Sequence, residues 1–403
     1  MMEPHLGVAL ALLAAFVVIR IVRWMLDCFE INVKGRYVLV TGCDSGFGRR
    51  LCLTLLKRGV HVLAGCYTVP GRVQLEADAP SGPADGELVT FPLDITSDDS
   101  VREARRFVED LLAQRNAKLW AVVNNAGVFT TFGPDDWCTL KEYKQSIDVN
   151  TYGAIRVTHA FMPLLKKSCG RVVTMCSSAG RVHGRYLAPY CVAKFALEAY
   201  MDCLRIEARA FRVSVHILEP GAFKTELLDQ KAMQTRVDRI WGALDEETRV
   251  EYGAEFKNRF VRVSDLSLLR DCVVNRQRRL ESLSRLLHRQ KLASGVVAAA
   301  PFRVKFEFSH QTLQVWGAGV RLIASSNLDW VVGHYMHAIC GRFPHRRYQS
   351  GWDAVLLLIP LSIAPTWLQD LVLQTLYGLQ PGPQLIPDAL LHSTKPTKDR
   401  LPS

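Results

Sequence analysis

The sequence predicts an α/β protein: a parallel sheet wound on both faces by helices, with an apolar helix before it and a helical extension after it. Three observations carry this. Short apolar runs of strand length recur between about residues 34 and 220, and the stretches between them carry leucines at helical spacing. The first run ends in a cluster of glycines that opens a helix. The chain has 403 residues and is 49% hydrophobic, enough for a core of ~250 residues with segments to spare.

In chain order, residues 1–30 come first. Leu6 to Ile19 is an unbroken apolar stretch, which Ile21, Val22, Trp24, Met25 and Leu26 extend to roughly the ~20 residues that span a bilayer. Arg20 and Arg23 follow it, and Trp24 suits the interface. The start, Met-Met-Glu-Pro-His, lacks the positive charge of a cleaved signal. A membrane anchor with the rest of the chain cytosolic is expected, at the endoplasmic reticulum or alternatively a mitochondrial membrane. Membrane lipid is therefore an expected partner. The net charge of +11 is read as membrane-proximal and solvated surface. No nucleic-acid motif accompanies it, so no nucleic-acid partner is expected. Eleven scattered cysteines without Cys-x2-Cys spacing read as buried free thiols, and no metal is expected.

Residues 34–260 carry the main domain. The run Tyr37 to Val40 reads as a buried strand, followed by Thr41-Gly42-Cys43-Asp44-Ser45-Gly46-Phe47-Gly48 and a helix with Leu51, Leu55 and Leu56. Strand, glycine turn and helix together make a dinucleotide cradle of Rossmann type. Glycines let backbone approach a pyrophosphate, and the helix start offers free amides. Gly42, Asp44, Ser45, Gly46, Phe47 and Gly48 are its expected contacts. A second strand, Val60 to Cys66, ends without the acid that commonly binds a ribose hydroxyl. No arginine stands there or inside the glycine turn, and Asp44 nearby would repel a 2′-phosphate. NAD is therefore favoured and NADP is the alternative; Arg49 or Arg50 reaching the ribose would reverse the choice.

The third unit ends at Asp94, which either touches the adenine or caps the helix that follows. Strand Trp120 to Val123 leads into Asn124-Asn125-Ala126-Gly127. There, asparagines can hold a loop against neighbouring strands, and the small residues leave room for a cofactor, with plain turn chemistry as the alternative. A helix bearing Asp148-Val149-Asn150 precedes strand Arg171 to Met175, which Ser177-Ser178 closes. Tyr190 and Lys194, four residues apart on the next helix, share one face. An ammonium beside a phenol favours the phenolate and lowers its pKa from about 10, so the pair could move a proton to or from an alcohol or ketone. Strand Val213 to Leu218 then leads to Pro220-Gly221 and Thr225.

Thr41-Gly42-x3-Gly46-x-Gly48, Asn124-Asn125-Ala126-Gly127, Ser177, Tyr190-x3-Lys194 and Pro220-Gly221 stand in the order and spacing of the short-chain dehydrogenase/reductase family. The chain resembles that family over residues 34–230, and in particular its retinol, hydroxysteroid and D-3-hydroxybutyrate dehydrogenases. The stretch from Gly170 to Lys194 is most similar to the hydroxybutyrate enzyme. The resemblance implies hydride transfer with nicotinamide and a tetrad. Asn150 would hold a water, Ser177 rather than Ser178 would bind the substrate oxygen, Tyr190 would exchange the proton, and Lys194 would tune Tyr190 and hold the ribose. Asn124, Ala126, Gly127, Pro220, Gly221 and Thr225 would complete the cofactor contacts. A hydrophobic alcohol or ketone fits the apolar Leu227, Leu228, Met233, Ile240, Trp241 and Leu244, although core packing also accounts for some of these. A hydroxyacid substrate would instead call on His183, Arg185 or Lys224, and an inactive membrane scaffold of the same fold is the remaining alternative, against which the intact tetrad argues.

Residues 261–325 form a basic insertion with no counterpart in the pattern. Residues 326–380 resume it as a helical part of the same domain, with an apolar block from Trp352 to Ala364 read as a membrane-surface or pocket-covering helix. Residues 381–403 read as a flexible tail. A homo-oligomer is left open.

Overall fold

The computed structural model describes residues 3–80, 82, 86–225, 230–253 and 325–378. The basic insertion up to residue 324, the tail 381–403, and Leu227 and Leu228 lie outside the described residues. The chain divides into two units: residues 1–130, 138–227 and 325–363, and residues 131–137, 228–324 and 364–403.

The first unit is a seven-stranded sheet. Its strands are β1 (Tyr37–Thr41), β2 (His61–Cys66), β3 (Leu88–Pro92), β4 (Leu119–Asn124), β5 (Arg171–Met175), β6 (Ser214–Pro220) and β7 (Arg347–Ser350). The order is β3-β2-β1-β4-β5-β6-β7, and every neighbouring pair is parallel. Helix α1 (Glu3–Asp27) precedes β1, and the crossovers that parallel strands need are supplied by α2 (Gly46–Lys57), α3 (Val69–Asp78), α4 (Asp98–Gln114), α5 (Leu140–Ile147), α6 (Ala154–Ser168) and α7 (Ala188–Glu207). After α8 (Gln230–Ala243) of the second unit, α9 (Leu328–Cys340) returns to the sheet.

Strand alternation divides the core. Val38 and Val40 point to one face, with Leu51 and Leu55 of α2 and Val331 and Tyr335 of α9. Tyr37 and Leu39 point to the other, with Val108 of α4, Phe161 of α6 and Leu197 of α7. With both faces covered, β1 and β4 are apolar along nearly their whole length. Each fully buried Leu or Val in such a layer contributes about 1.5–3 kcal/mol. The strand order reverses between β1 and β4, so the loops after these two strands diverge and leave a crevice at their carboxyl ends.

Two expectations change here. The helix expected around Asn150 is interrupted: α5 passes into a π turn, Asp148–Gly153, before α6 begins. The helix after Asp94 is capped by Ser97, which accepts from the Ser100 amide, while Asp94 accepts from the Thr96 amide and hydroxyl at 2.9 and 2.7 Å. Asp94 therefore makes a local turn and is not the cap.

No helix among the described residues is long and apolar enough to cross a membrane. Arg20 and Arg23 interrupt the apolar run of α1, although Val18, Ile19, Ile21 and Trp24 are exposed along it. The block read from Trp352 is two short helical turns, Ala354–Leu358 and Ile359–Ser362. Trp352, Leu356 and Ile363 are exposed on it.

In the second unit, Val237 and Ile240 of α8 are buried. Trp241 meets Trp137 edge-on at 5.1 Å, and the Tyr252 hydroxyl donates to Asp136 at 2.8 Å. Ile240 and Trp241 thus serve the unit's own packing. A further helix, α10 (Thr366–Gly378), belongs to the same unit.

Candidate functional site

The glycine turn after β1 is held open from below. The Thr41 hydroxyl accepts from the amides of Asn125 and Ala126, both at 3.1 Å. The Asn125 side chain donates to the carbonyls of Thr41 and Gly42 at 3.0 Å, and Tyr335 donates to the other end of that amide at 3.0 Å. A side chain at Gly42 would meet Ala126 Cα at 2.7 Å, and one at Gly48 would run into the Gly42 carbonyl. Only glycine permits this approach of turn to helix. Ser45 precedes α2 without a side-chain cap hydrogen bond, so the first amides of α2 point out of the turn as an anion cradle. The residues present therefore fit a pyrophosphate.

Asp44 leaves the turn and reaches the end of β2, where its carboxylate accepts from the amides of Tyr67 and Thr68 at 3.0 and 2.6 Å and from the Thr68 hydroxyl at 2.7 Å. The sequence placed no acid after β2; the fold brings one there from the turn. Arg49 is paired with Asp78. Arg50 is paired with Asp329 through two bonds, at 2.7 and 2.9 Å. Phe47 meets Phe223 edge-on at 5.6 Å, linking the first turn to the loop after Pro220 and Gly221. In that loop the Gly221 amide donates to the Ser350 carbonyl at 2.8 Å, and the Thr225 amide to the Phe223 carbonyl at 2.9 Å.

Asn124 does not face the crevice in the way expected. Its side-chain amide donates to the hydroxyls of Thr158 and Thr174 at 2.8 and 3.3 Å, tying β4 to α6 and β5. Its neighbour Asn125 is the residue that braces the turn. Ala126 touches the turn directly. A side chain at Gly127 would meet Asn150 Oδ1 at 2.9 Å and Lys194 Nζ at 3.7 Å. That one missing methyl brings the loop after β4, the π turn and α7 into register.

At Asn150, the side-chain amide donates to the carbonyls of Val128 and Ser146 at 2.9 and 3.0 Å, and its oxygen accepts from the Val128 amide at 3.0 Å. Lys194 is buried, and its Nζ donates to the Met175 carbonyl at 3.0 Å and lies 5.7 Å from the Tyr190 ring centre. Ser177 accepts from the Ala179 amide at 3.1 Å and shares a hydrogen bond with the Tyr190 phenol. Phe129 meets the Tyr190 ring edge-on at 5.1 Å.

The electrostatics revise one expectation. Burial pushes Tyr190 up to about 12, against a smaller lowering by the Ser177 hydrogen bond. The sequence expectation was a phenol lowered by Lys194. Burial also lowers Lys194, with Cys176 and Glu198 opposing. Desolvation disfavours both charged forms, so the protein by itself holds Tyr190 protonated.

Two features of the site were not legible from the motifs. Asp353 accepts from the Ala222 amide at 2.7 Å and fixes the loop after Gly221. Arg347 pairs with Glu198, one helical turn beyond Lys194, and with Glu219, which adjoins Pro220. For Arg347 the available signal was a charge inside a short polar segment, and for Asp353 a charge at the start of an apolar run; neither distinguishes a buried tie from a surface turn.

The family model for short chain dehydrogenases matches residues 36–236. A 3β-hydroxysteroid dehydrogenase of Caenorhabditis elegans, dhs-16, is 45% identical over 385 residues, covering 95% of this chain and 86% of that protein. Human short-chain dehydrogenase/reductase family 9C member 7 is 34% identical over 87% of this chain and 93% of that protein. Human retinol dehydrogenase 5 is 33% identical over 87% and 92%. Such identity across nearly the whole length decides the matter: the chain belongs to the short-chain dehydrogenase family, among its hydroxysteroid and retinol members, and is an alcohol dehydrogenase or ketone reductase that uses a nicotinamide cofactor.

Proposed function

We propose that the protein interconverts a hydrophobic secondary or allylic alcohol, a hydroxysteroid or retinoid, and its carbonyl compound, with NAD as the preferred cofactor. The observation that carries the reaction is the convergence of Ser177, Tyr190, Lys194 and Asn150 beside Gly127. The substrate class rests on relatives named as hydroxysteroid and retinol dehydrogenases.

The glycine turn and the start of α2 would hold the pyrophosphate, and the loop from Pro220 to Thr225 the nicotinamide end. The bound nicotinamide supplies or accepts the hydride. Ser177 orients the substrate oxygen. Tyr190, protonated in the protein by itself, gives its proton to that oxygen in reduction and takes it back in oxidation. Lys194, fixed by the Met175 carbonyl, presents positive charge to the phenolate when it forms. Asn150 holds the loop after β4 against the π turn and keeps Lys194 and Gly127 adjacent. The preference for NAD is supported by Asp44 at the end of β2 and by the pairing of Arg49 and Arg50 with Asp78 and Asp329.

The test is a purified-protein assay with NAD and with NADP against retinol, androstanediol, estradiol and 3-hydroxybutyrate, followed at the nicotinamide absorbance band. Oxidation of a steroid or retinoid with NAD is expected. Turnover of 3-hydroxybutyrate alone would overturn the substrate reading, and better turnover with NADP would overturn the cofactor reading. Tyr190→Phe is expected to lower kcat about 10³-fold with cofactor binding retained.

The exposed apolar side chains of α1 support a reading in which this helix lies in the endoplasmic-reticulum membrane with the sheet domain in the cytosol. Removal of residues 1–28 is expected to release the protein from the microsomal fraction. Recovery of the full chain with mitochondria would favour the alternative membrane.

A further inference from the structure

Asp27, the last residue of α1, faces two histidines from elsewhere in the same unit. His337 lies in the last turn of α9, and His345 lies just ahead of β7. His345 Nε2 is 3.0 Å from the Asp27 carboxylate, His337 Nε2 is 3.7 Å from it, and the three ligand atoms all lie within 4.8 Å of one another. A tetrahedral ion with bonds of about 2.0–2.1 Å sets its ligand atoms roughly 3.3 Å apart. The observed separations bracket that figure.

Two further observations point to a ligand. His337 Nε2 is a buried polar atom without a hydrogen-bond partner; Asp27 Oδ1 is buried and lacks a hydrogen bond, with ion-pair contacts to Arg23 Nε at 3.3 Å and His345 Nε2 at 3.0 Å. The space next to His337 is also kept open. Gly341 has φ −60° and ψ 142°, a conformation any residue adopts, yet a side chain there would meet the His337 carbonyl at 2.6 Å and His337 Nε2 and Cδ2 at 2.9 Å. Glycine is required for clearance over His337, over its carbonyl as well as its imidazole, and not for its backbone angles. His337 Nδ1 lies 2.9 Å from the Tyr348 hydroxyl. If that nitrogen carries the proton and donates, Nε2 is left with its lone pair exposed, the arrangement that metal-binding histidines use.

We propose that Asp27, His337 and His345 bind a zinc-class divalent ion that staples the end of α1 to the sheet domain. Two imidazoles and one carboxylate suit zinc better than calcium or magnesium. Arg23 stands 3.3 Å from Asp27 and donates to the Phe343 carbonyl at 2.8 Å. Its positive charge competes with the ion for the carboxylate. The cluster lies by the start of β7, whereas the Gly221 loop lies by its end at Ser350. The ion is therefore structural and takes no part in the reaction.

The test uses the full chain in detergent micelles, stripped with chelator and titrated with zinc by calorimetry and with cobalt(II) by absorbance. One equivalent is expected to bind, with cobalt giving the intense visible bands of a tetrahedral site and zinc raising the unfolding midpoint by roughly 5 °C. Asp27→Asn and His337→Ala are each expected to weaken binding at least tenfold. Arg23→Ala is expected to tighten it several-fold, a direction that damage to the fold would not produce. Failure of the unmodified protein to bind one equivalent, or unchanged binding in Asp27→Asn or His337→Ala with nicotinamide-cofactor binding intact, overturns the proposal. So does unchanged or weaker binding in Arg23→Ala.

Discussion

The middle of the sheet and its last edge are built by different means. β1 and β4 are apolar along nearly their whole length, and their neighbours are leucines, valines and phenylalanines of the flanking helices. β7 reads Arg-Tyr-Gln-Ser, and polar ties hold it and its surroundings. Arg347 pairs with Glu198, Glu219 and Asp202. The chain just before β7, at the end of α9, is tied to β5 by Arg171, which donates to the carbonyls of Ala338 and Gly341 at 2.7 and 2.8 Å, and to β4 by Trp120, which donates to that of Ile339 at 3.0 Å. Apolar burial makes a layer without specifying which edge comes next. Directed bonds specify the edge, and they do so next to the loops that must meet a cofactor.

The two halves should respond differently to mutation. Arg347→Ala would leave Glu198 and Glu219 buried with less compensation, and is expected to cost about 4 kcal/mol at pH 8 in denaturant titrations. Leu39→Ala should cost about 3 kcal/mol by cavity formation, with no change in that cost between pH 5 and 8. That difference in pH response is the sharper test. Burial and the neighbouring Glu219 raise Glu198 to about 7, above its unfolded value near 4.5. A raised carboxyl gives stability that is fully present below the unfolded pKa and is lost as pH rises through the folded one. The Arg347→Ala loss should therefore shrink by on the order of 2 kcal/mol between pH 8 and 5. Glu198→Gln should flatten the pH dependence of stability between about pH 4.5 and 7 in the otherwise unchanged protein. An Arg347→Ala cost that does not depend on pH would mean that the edge, like the centre, is held mainly by packing. The smallest effect belongs to Tyr335→Phe, which removes one buried bond to Asn125 and should cost about 1 kcal/mol while weakening cofactor binding a few-fold in a fluorescence titration.

The same division explains what could be read in advance. Strands at Tyr37, Val62, Val122 and Val172 announce themselves by apolar runs, and the glycine turn by its punctuation. The nearness of Tyr190 to Lys194 follows from their spacing on one helix, whereas Ser177 was reached only through the resemblance to the family. β7 gave no such signal, because its pattern is polar and its partners are 128 to 149 positions away. Asp353 was hidden for the same reason. The direction of the Tyr190 shift was misjudged because spacing reveals a charged neighbour but not the loss of solvent, and here burial is the larger effect. Asn124 and Asn125 were interchangeable as letters; only the strand's alternation decides which side chain enters the layer and which turns to the glycine loop.

Phe223 and Ser325 form a parallel bridge, and the Lys224 amide donates to the Ser325 carbonyl at 3.1 Å. Two points separated by a hundred positions in the sequence are thus sewn together at one seam. The seam therefore fixes the loop after Gly221 to the entry of α9 by backbone bonds alone, without help from any side chain.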